Sequence, residues 1–215
     1  MDTSLHSPAG RTTDLGVRSR GYEFEVGSDF AETLIASRQN TSPRRLAEPG
    51  PSVTELARIL RAAAAAPDHG LLRPWRFVVV PDARRSDLAE VFALALIDRD
   101  PGATLDQIEA ARDKAHRSPL LMLVVARLAA DEARIPSLER IVSVGCAVQN
   151  MLLMAHSLGL GSGLTSGQAM QSVRMRGLFK LAEGEEAVCF VNMGTVAKRK
   201  LGREHPVVQD FLSTL

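Results

Sequence analysis

Aromatic residues and cysteines are both scarce: the 215-residue chain has one Trp, one Tyr, seven Phe and two Cys. Cys146 and Cys189 each sit inside an apolar run, with no CxxC step and no histidine at ligand spacing, which argues against a disulfide framework and a zinc site. Both read as buried, reduced thiols, and an intracellular, cytoplasmic chain is expected from them. Charge of one sign is not in excess either. Twenty-six Lys and Arg against twenty-five Asp and Glu leave +1, so no global field draws the chain to nucleic acid or an anionic membrane. The opening stretch, MDTSLHSPAGRTTDLG, lacks the apolar core of a signal peptide and reads as a polar leader over residues 1–28. There is no Walker sequence, no HExxH and no GxSxG, and the five histidines, at 6, 69, 116, 156 and 205, are too scattered for a metal cluster.

What is present suits one soluble globular domain, expected over residues 29–215, at 45% apolar and 24% charged. A short helical pattern at 29–36 leads into the proline-punctuated loop RQNTSPRRLAEPGP. The step Ser52-Val-Thr-Glu55 is a capping box, and Val53, Leu56, Ile59, Leu60 and Ala63 follow at helical spacing until Pro67. Residues 75–80 have strand length and β-branched content. Helices are expected at 82–96 and 105–116, a buried strand at 119–126, a helix at 137–157, another at 172–179 and a strand at 187–193. The helix 137–157 approaches the length of a membrane span. Ser143, Gln149, Asn150 and His156 interrupt it, which fits the central helix of a soluble core or a subunit interface. After it, LGLGSGLTSG reads as a break. Its glycines at 159, 161, 163 and 167 do not make GxGxxG, and the stretch follows a helix where a dinucleotide fingerprint follows a strand.

Several short groups suit a polar, planar cofactor. Arg38, Gln39 and Asn40 combine a cation with two amides at a helix-to-loop transition, able to hold a phosphate and a ring edge. Leu164, Thr165, Ser166 and Gly167 offer backbone N–H groups in a turn, and Lys198, Lys200 and Arg203 add a second cationic cluster. Each group alone is also what a solvated loop would look like. In order, SRQNTSPRRLAEPGP, ILRAAAAAPDHGLLRPWRFVVV, SPLLMLVVA, GCAVQNMLLMAHSLGLGSGLTSG and the tail AVCFVNMGT to KRKLGREHP resemble the nitroreductase family of FMN-dependent oxidoreductases. The resemblance spans about residues 30–205, and Ala-Pro-Asp-His followed by Pro-Trp is its specific part.

That resemblance implies an α+β fold: a mostly antiparallel sheet flanked by helices, in a homodimer whose C-terminal tail docks on the other subunit through Val207, Val208, Phe211 and Leu212. Helix and strand alternation alone would instead suggest a parallel α/β sheet. The resemblance further implies FMN as cofactor, with Arg38 matching the first Arg of the family's Arg-Arg-Ser motif, and Gln39 and Asn40 standing where Arg and Ser are usual. Thr165, Ser166 and Gly167 match the flavin-edge segment beside N5, His69 reaches the partner subunit's flavin, and Lys200 or Arg203 meets the phosphate. Pro74 and Trp75 brace the loop on the sheet. Leu71 and Arg73 depart from the Asn and Gln common before Pro-Trp. No side chain is assigned as catalytic: the flavin carries the chemistry, NAD(P)H donates hydride, and a nitroaromatic, quinone or similar small acceptor follows in ping-pong order. The alternative is a dimeric module, with or without flavin, that has no reductase turnover.

Overall fold

A computed structural model describes residues 20–128, 135–199, 202 and 204–215. The chain divides into two compact units, 1–36 and 37–215. The first holds most of helix α1 (Arg20–Ser37), which begins earlier than the expected 29–36 segment. All that follows concerns the second unit.

Five strands form its sheet: β1 (Leu46–Ala47), β2 (Trp75–Val79), β3 (Leu120–Arg127), β4 (Gly161–Thr165) and β5 (Glu185–Val196). The order is β1-β5-β3-β2, with β4 also paired to β5, and every named pairing is antiparallel. The parallel sheet suggested by bare alternation is not what forms. Antiparallel neighbours need no crossover of fixed hand, so the helices between strands are free to pack on either face.

Helices α2 (Val53–Ala64) and α5 (Ser137–Ser157) cover one face, and α3 (Arg85–Arg99) and α6 (Val173–Leu178) the other, with α4 (Leu105–Arg112) packed on α3. Strand β3 shows why its sequence is apolar throughout. Met122, Val124 and Ala126 face α2 and α5, while Leu121, Leu123 and Val125 face the α3 side, so a period of two has two buried phases. Helix α5 buries Val144, Ala147, Val148, Met151, Leu152 and Ala155, which recur at steps of three and four along one side. Its length and apolarity also meet the requirement for a membrane span, but here that side packs on the sheet.

The capping box at the start of α2 is formed: the Glu55 N–H donates to Ser52 Oγ at 3.3 Å, and the Ser52 N–H donates to Glu55 Oε2 at 2.8 Å. Helix α2 ends before Pro67, and Trp75 opens β2 half-buried against the α2/α5 core, as a packing anchor should. Strand β4 lies where the sequence reads as a break, because its glycines mask a strand. A Cβ on Gly163 would stand 2.2 Å from the Thr41 carbonyl oxygen, and one on Gly161 would stand 2.5 Å from Val196 Cγ2. Only a residue without Cβ lets the segment 38–41 lie this close along the strand edge.

Candidate cofactor and substrate site

The segment that follows α1 runs beside β4. Thr41 N–H donates to the Ser162 carbonyl at 2.8 Å, Asn40 bridges to Ser162 in parallel, and the Leu164 N–H donates to Asn40 Oδ1 at 3.2 Å. The backbone N–H of Leu164 is therefore already used within the chain. Asn40 keeps its Nδ2 donors beyond that contact.

Arg38, Gln39 and Asn40 line one cavity of about 350 Å³, together with His156, Ser162, Lys198 and Arg199. Four cations line it, Arg38, Arg45, Lys198 and Arg199, and no carboxylate does, which suits it to a phosphate. Arg38 Nε is buried and has no hydrogen-bond partner among the described residues. A buried guanidinium nitrogen left unpaired is costly, so its geometry asks for an acceptor from a ligand. The sequence marks His156 only as a polar interruption of the helix 137–157 and not as a site residue; its Nε2 lies 2.8 Å from Ser37 Oγ. Nor does it single out Arg199. Lys200 and Arg203, expected at the phosphate, lie outside the described residues.

Thr165, Ser166 and Gly167 line a different cavity, of about 340 Å³, walled by α3, the end of α4 and the connection from β4 to α6. The two cavities share no lining residue. Behind Thr165 runs a buried polar chain that no local sequence pattern announces. Asn192 Nδ2 donates to Thr165 Oγ1 at 3.0 Å, and Asn192 Oδ1 lies 2.9 Å from the Ser118 hydroxyl. Asn192 is 1% exposed, and this pairing satisfies it while fixing the start of the 165–167 segment.

His69 stands apart from all of these. It follows α2 in a loop where Gly70, Leu71 and Arg73 all have positive φ, a conformation held in part by the Arg73 N–H donating to Asp68 Oδ2 at 2.7 Å. His69 Nδ1 is 2.6 Å from Glu139 Oε1, in the first turn of α5. Because a carboxylate accepts, the proton sits on Nδ1 and Nε2 is left for another partner. Glu139 and His156 are 17 residues apart on one helix, so His69 and the Arg38 cavity lie about 25 Å from each other in a single chain. The structure brings Arg38, Gln39, Asn40 and Lys198 together and places Leu164 beside them. It does not bring His69 to them.

The family model described as Nitroreductase family matches residues 37–195. A Haemophilus influenzae protein whose name gives it a provisional NAD(P)H nitroreductase assignment is 32% identical over 187 residues, covering 86% of this chain and 99% of its own. The similarly named YdjA protein of Escherichia coli K12 is 35% identical over 167 residues, covering 78% and 88%. Among solved structures, a nitroreductase-like family protein from Bacillus cereus superposes with TM-score 0.73 at 18% identity, covering 85% of this chain and 94% of its own. A nitroreductase with bound FMN from Bacteroides fragilis superposes with TM-score 0.63 at 20% identity, covering 85% and 96%.

Proposed function

Because the chain belongs to the nitroreductase family, we propose that it is an NAD(P)H-dependent oxidoreductase that holds FMN and reduces nitroaromatics, quinones or similar small acceptors. The observation that carries this reading is Arg38, whose Nε is buried and unpaired among the described residues, lining a cavity together with Arg45, Lys198 and Arg199. Arg38 is the phosphate ligand in this reading, with Lys198 and, beyond the described residues, Lys200 or Arg203 adding charge. Gln39 and Asn40 serve the ribityl chain, Asn40 through Nδ2. The segment from Leu164 through Thr165 and Ser166 to Gly167 borders the ring edge at N5, held by Asn192 from behind. FMN held there would supply the redox chemistry that links NAD(P)H to the acceptor, in ping-pong order.

The working unit in this reading is a cytoplasmic homodimer. His69 sits too far from Arg38 to serve the same flavin in one chain, so a second copy brings its own His69 loop to the site. The exposed Val207, Val208, Phe211 and Leu212 of the tail are the side chains that dock on that copy.

Titration of the purified protein with FMN tests the reading. Quenching of flavin fluorescence is expected, with a rise in melting temperature. Saturation at a hundredfold excess over Kd adds about 2.7 kcal/mol to stability. FMN-dependent oxidation of NADH or NADPH with a quinone should accompany it. Absence of both quenching and thermal shift would leave the dimeric module without reductase turnover as the better description.

A further inference from the structure

A separate cavity, of about 270 Å³, lies between β1, the start of α3 and the connection from α4 to β3. It shares no lining residue with the Arg38 cavity, and only Arg117 with the cavity beside Thr165. Arg85, 4% exposed, lines it as the first residue of α3. Its two terminal nitrogens are committed within the chain. Nη1 donates to the Ala115 carbonyl at 2.7 Å and Nη2 to the Pro119 carbonyl at 3.0 Å, which ties the guanidinium to the segment that leads into β3. Nε is not so committed: it is buried and has no hydrogen-bond partner among the described residues. Asp82 Oδ1 stands 3.9 Å from it, beyond hydrogen-bond reach. A buried charged donor without an acceptor is costly, so the position calls for one. Burial pulls the Arg85 pKa down, while Asp82 and then Glu48 hold it up, so both acids are felt at the guanidinium. Both also line the cavity, which balances Arg85 and Arg117 against Asp82 and Glu48, with His116 beside Arg117.

We propose that this cavity binds a free α-amino acid with a small aliphatic side chain, its carboxylate accepting from Arg85 Nε and its ammonium donating to Asp82 and Glu48. A plain anion gains the guanidinium but meets two carboxylates, and a plain cation gains the carboxylates but meets Arg85 and Arg117. A ligand that carries both signs is attracted at both ends. The spacing selects the α-amino acid. With Arg85 Nε and Asp82 Oδ1 only 3.9 Å apart, a ligand that touches both has its two charges on adjacent groups, whereas an ω-amino acid holds them several bonds further apart. Asp82 also makes the room, because its side chain is 99% exposed and can swing outward without opening the core. One Glu48 oxygen is taken by the Gly50 N–H at 3.0 Å, which leaves the other for the ammonium. Arg117 keeps donors for the second carboxylate oxygen beyond the one it gives to the Ala110 carbonyl at 3.2 Å. Leu46 and Pro119 supply the apolar wall for the ligand's side chain. The site needs no flavin and does not depend on the proposed function.

L-Alanine, acetate, ethylamine and γ-aminobutyrate are the probes, titrated calorimetrically into the full chain with and without saturating FMN. L-Alanine should bind at least tenfold more tightly than any of the other three, and equally well in the two conditions. Asp82→Asn should lower its affinity at least fivefold while leaving that of acetate unchanged or tighter. Glu48→Gln, which keeps an oxygen for the Gly50 N–H, should lower it several-fold. Arg85→Lys should abolish it as well, but that variant also frees the Ala115 and Pro119 carbonyls, so the two acid variants, both at exposed positions, decide. Equal binding of L-alanine and acetate, or an Asp82→Asn variant that binds L-alanine as the wild type does, would overturn the role of the acids. Equal binding of γ-aminobutyrate would overturn the α-amino assignment. Displacement of L-alanine by FMN, or its loss in Arg38→Ala, would place it in the flavin's own site and sink the proposal. No saturable binding by any of the four would leave solvent or Asp82 as the acceptor for Arg85 Nε and would also sink it. FMN affinity measured on the same samples keeps this result apart from that of the proposed function, since a chain that takes no FMN should still bind L-alanine.

Discussion

Single side chains carry most of what can be tested about binding. A guanidinium-to-phosphate contact contributes about 1.5–3 kcal/mol, whereas a histidine reaching a flavin from across an interface contributes about 0.5–1.5 kcal/mol. Arg38→Ala should therefore weaken FMN binding more than His69→Ala, and added salt should weaken binding to the wild type more than to Arg38→Ala. Equal losses with equal salt dependence, read by fluorescence titration, would move the phosphate to Lys198 or to the neighbouring Lys200 and Arg203. Stability is concentrated at a different residue. Glu185, 8% exposed, accepts from Arg76 at 3.0 Å on Oε1, takes the Ala182 N–H at 3.2 Å on Oε2, and has Arg127 Nε at 3.5 Å. The Arg76 contact, above all, holds its carboxyl below the ordinary glutamate range. A carboxyl depressed in the folded state stabilises the fold above its unfolded pKa and loses that contribution as pH falls through the folded value. Glu185→Gln should cost about 1.5–3 kcal/mol at neutral pH, and its urea midpoint should converge on the wild type only when the pH drops below the ordinary glutamate range. Arg38, Gln39 and Asn40 were legible in the sequence because they are adjacent. The chain Ser118, Asn192, Thr165 was not, because only the antiparallel register of β5 with β3 and β4 brings those residues together.

Elements were legible where their pattern has one explanation. The capping box, the run of β3 and the full extent of α5 follow from local sequence, since each needs only its own neighbours to be recognised. Strand β4 was hidden because Gly161, Ser162 and Gly163 carry turn propensity, and what selects them is the approach of residues 38–41, a tertiary fact. The two glycines should respond differently to the same substitution. In Gly163→Ala the new methyl meets backbone, the Thr41 carbonyl, whereas in Gly161→Ala it meets the ends of the Val196 and Leu46 side chains, which can turn. Gly163→Ala should therefore be the more damaging, at or above the roughly 1–3 kcal/mol of ordinary overpacking. It should also weaken FMN binding, because the segment it displaces carries Arg38 and Asn40. Urea midpoints and FMN titrations of the two variants, side by side, check both parts. A Gly161→Ala variant as impaired as Gly163→Ala would mean that the strand edge tolerates neither and that backbone contact is not the deciding feature.

At the scale of the whole molecule, the unresolved demand of the site is the separation between His69 and Arg38. They flank opposite ends of α5, whose first turn holds Glu139 and whose last holds His156. No rearrangement short of unfolding that helix closes a gap of about 25 Å within one chain, so a site that uses both residues draws them from two copies. A two-fold dimer does this twice, each copy giving Arg38 to one site and His69 to the other. Light scattering should then report twice the chain mass of 23.2 kDa. Mass alone does not show that the site is shared; mixing two defective variants does. In a heterodimer of Arg38→Ala with His69→Ala, one site carries both defects and the other carries neither. Random reassortment of equal amounts should restore roughly a quarter of all sites to wild-type behaviour, because half the dimers are mixed and each mixed dimer has one intact site. The readout is the fraction of tight FMN sites, or of NAD(P)H oxidation, recovered after the two pure variants are unfolded together and refolded. If each site belonged to one chain, every site in the mixture would keep a defect. Recovery would then stay at the average of the two variants, and the shared dimer site would be ruled out even if the mass were that of a dimer.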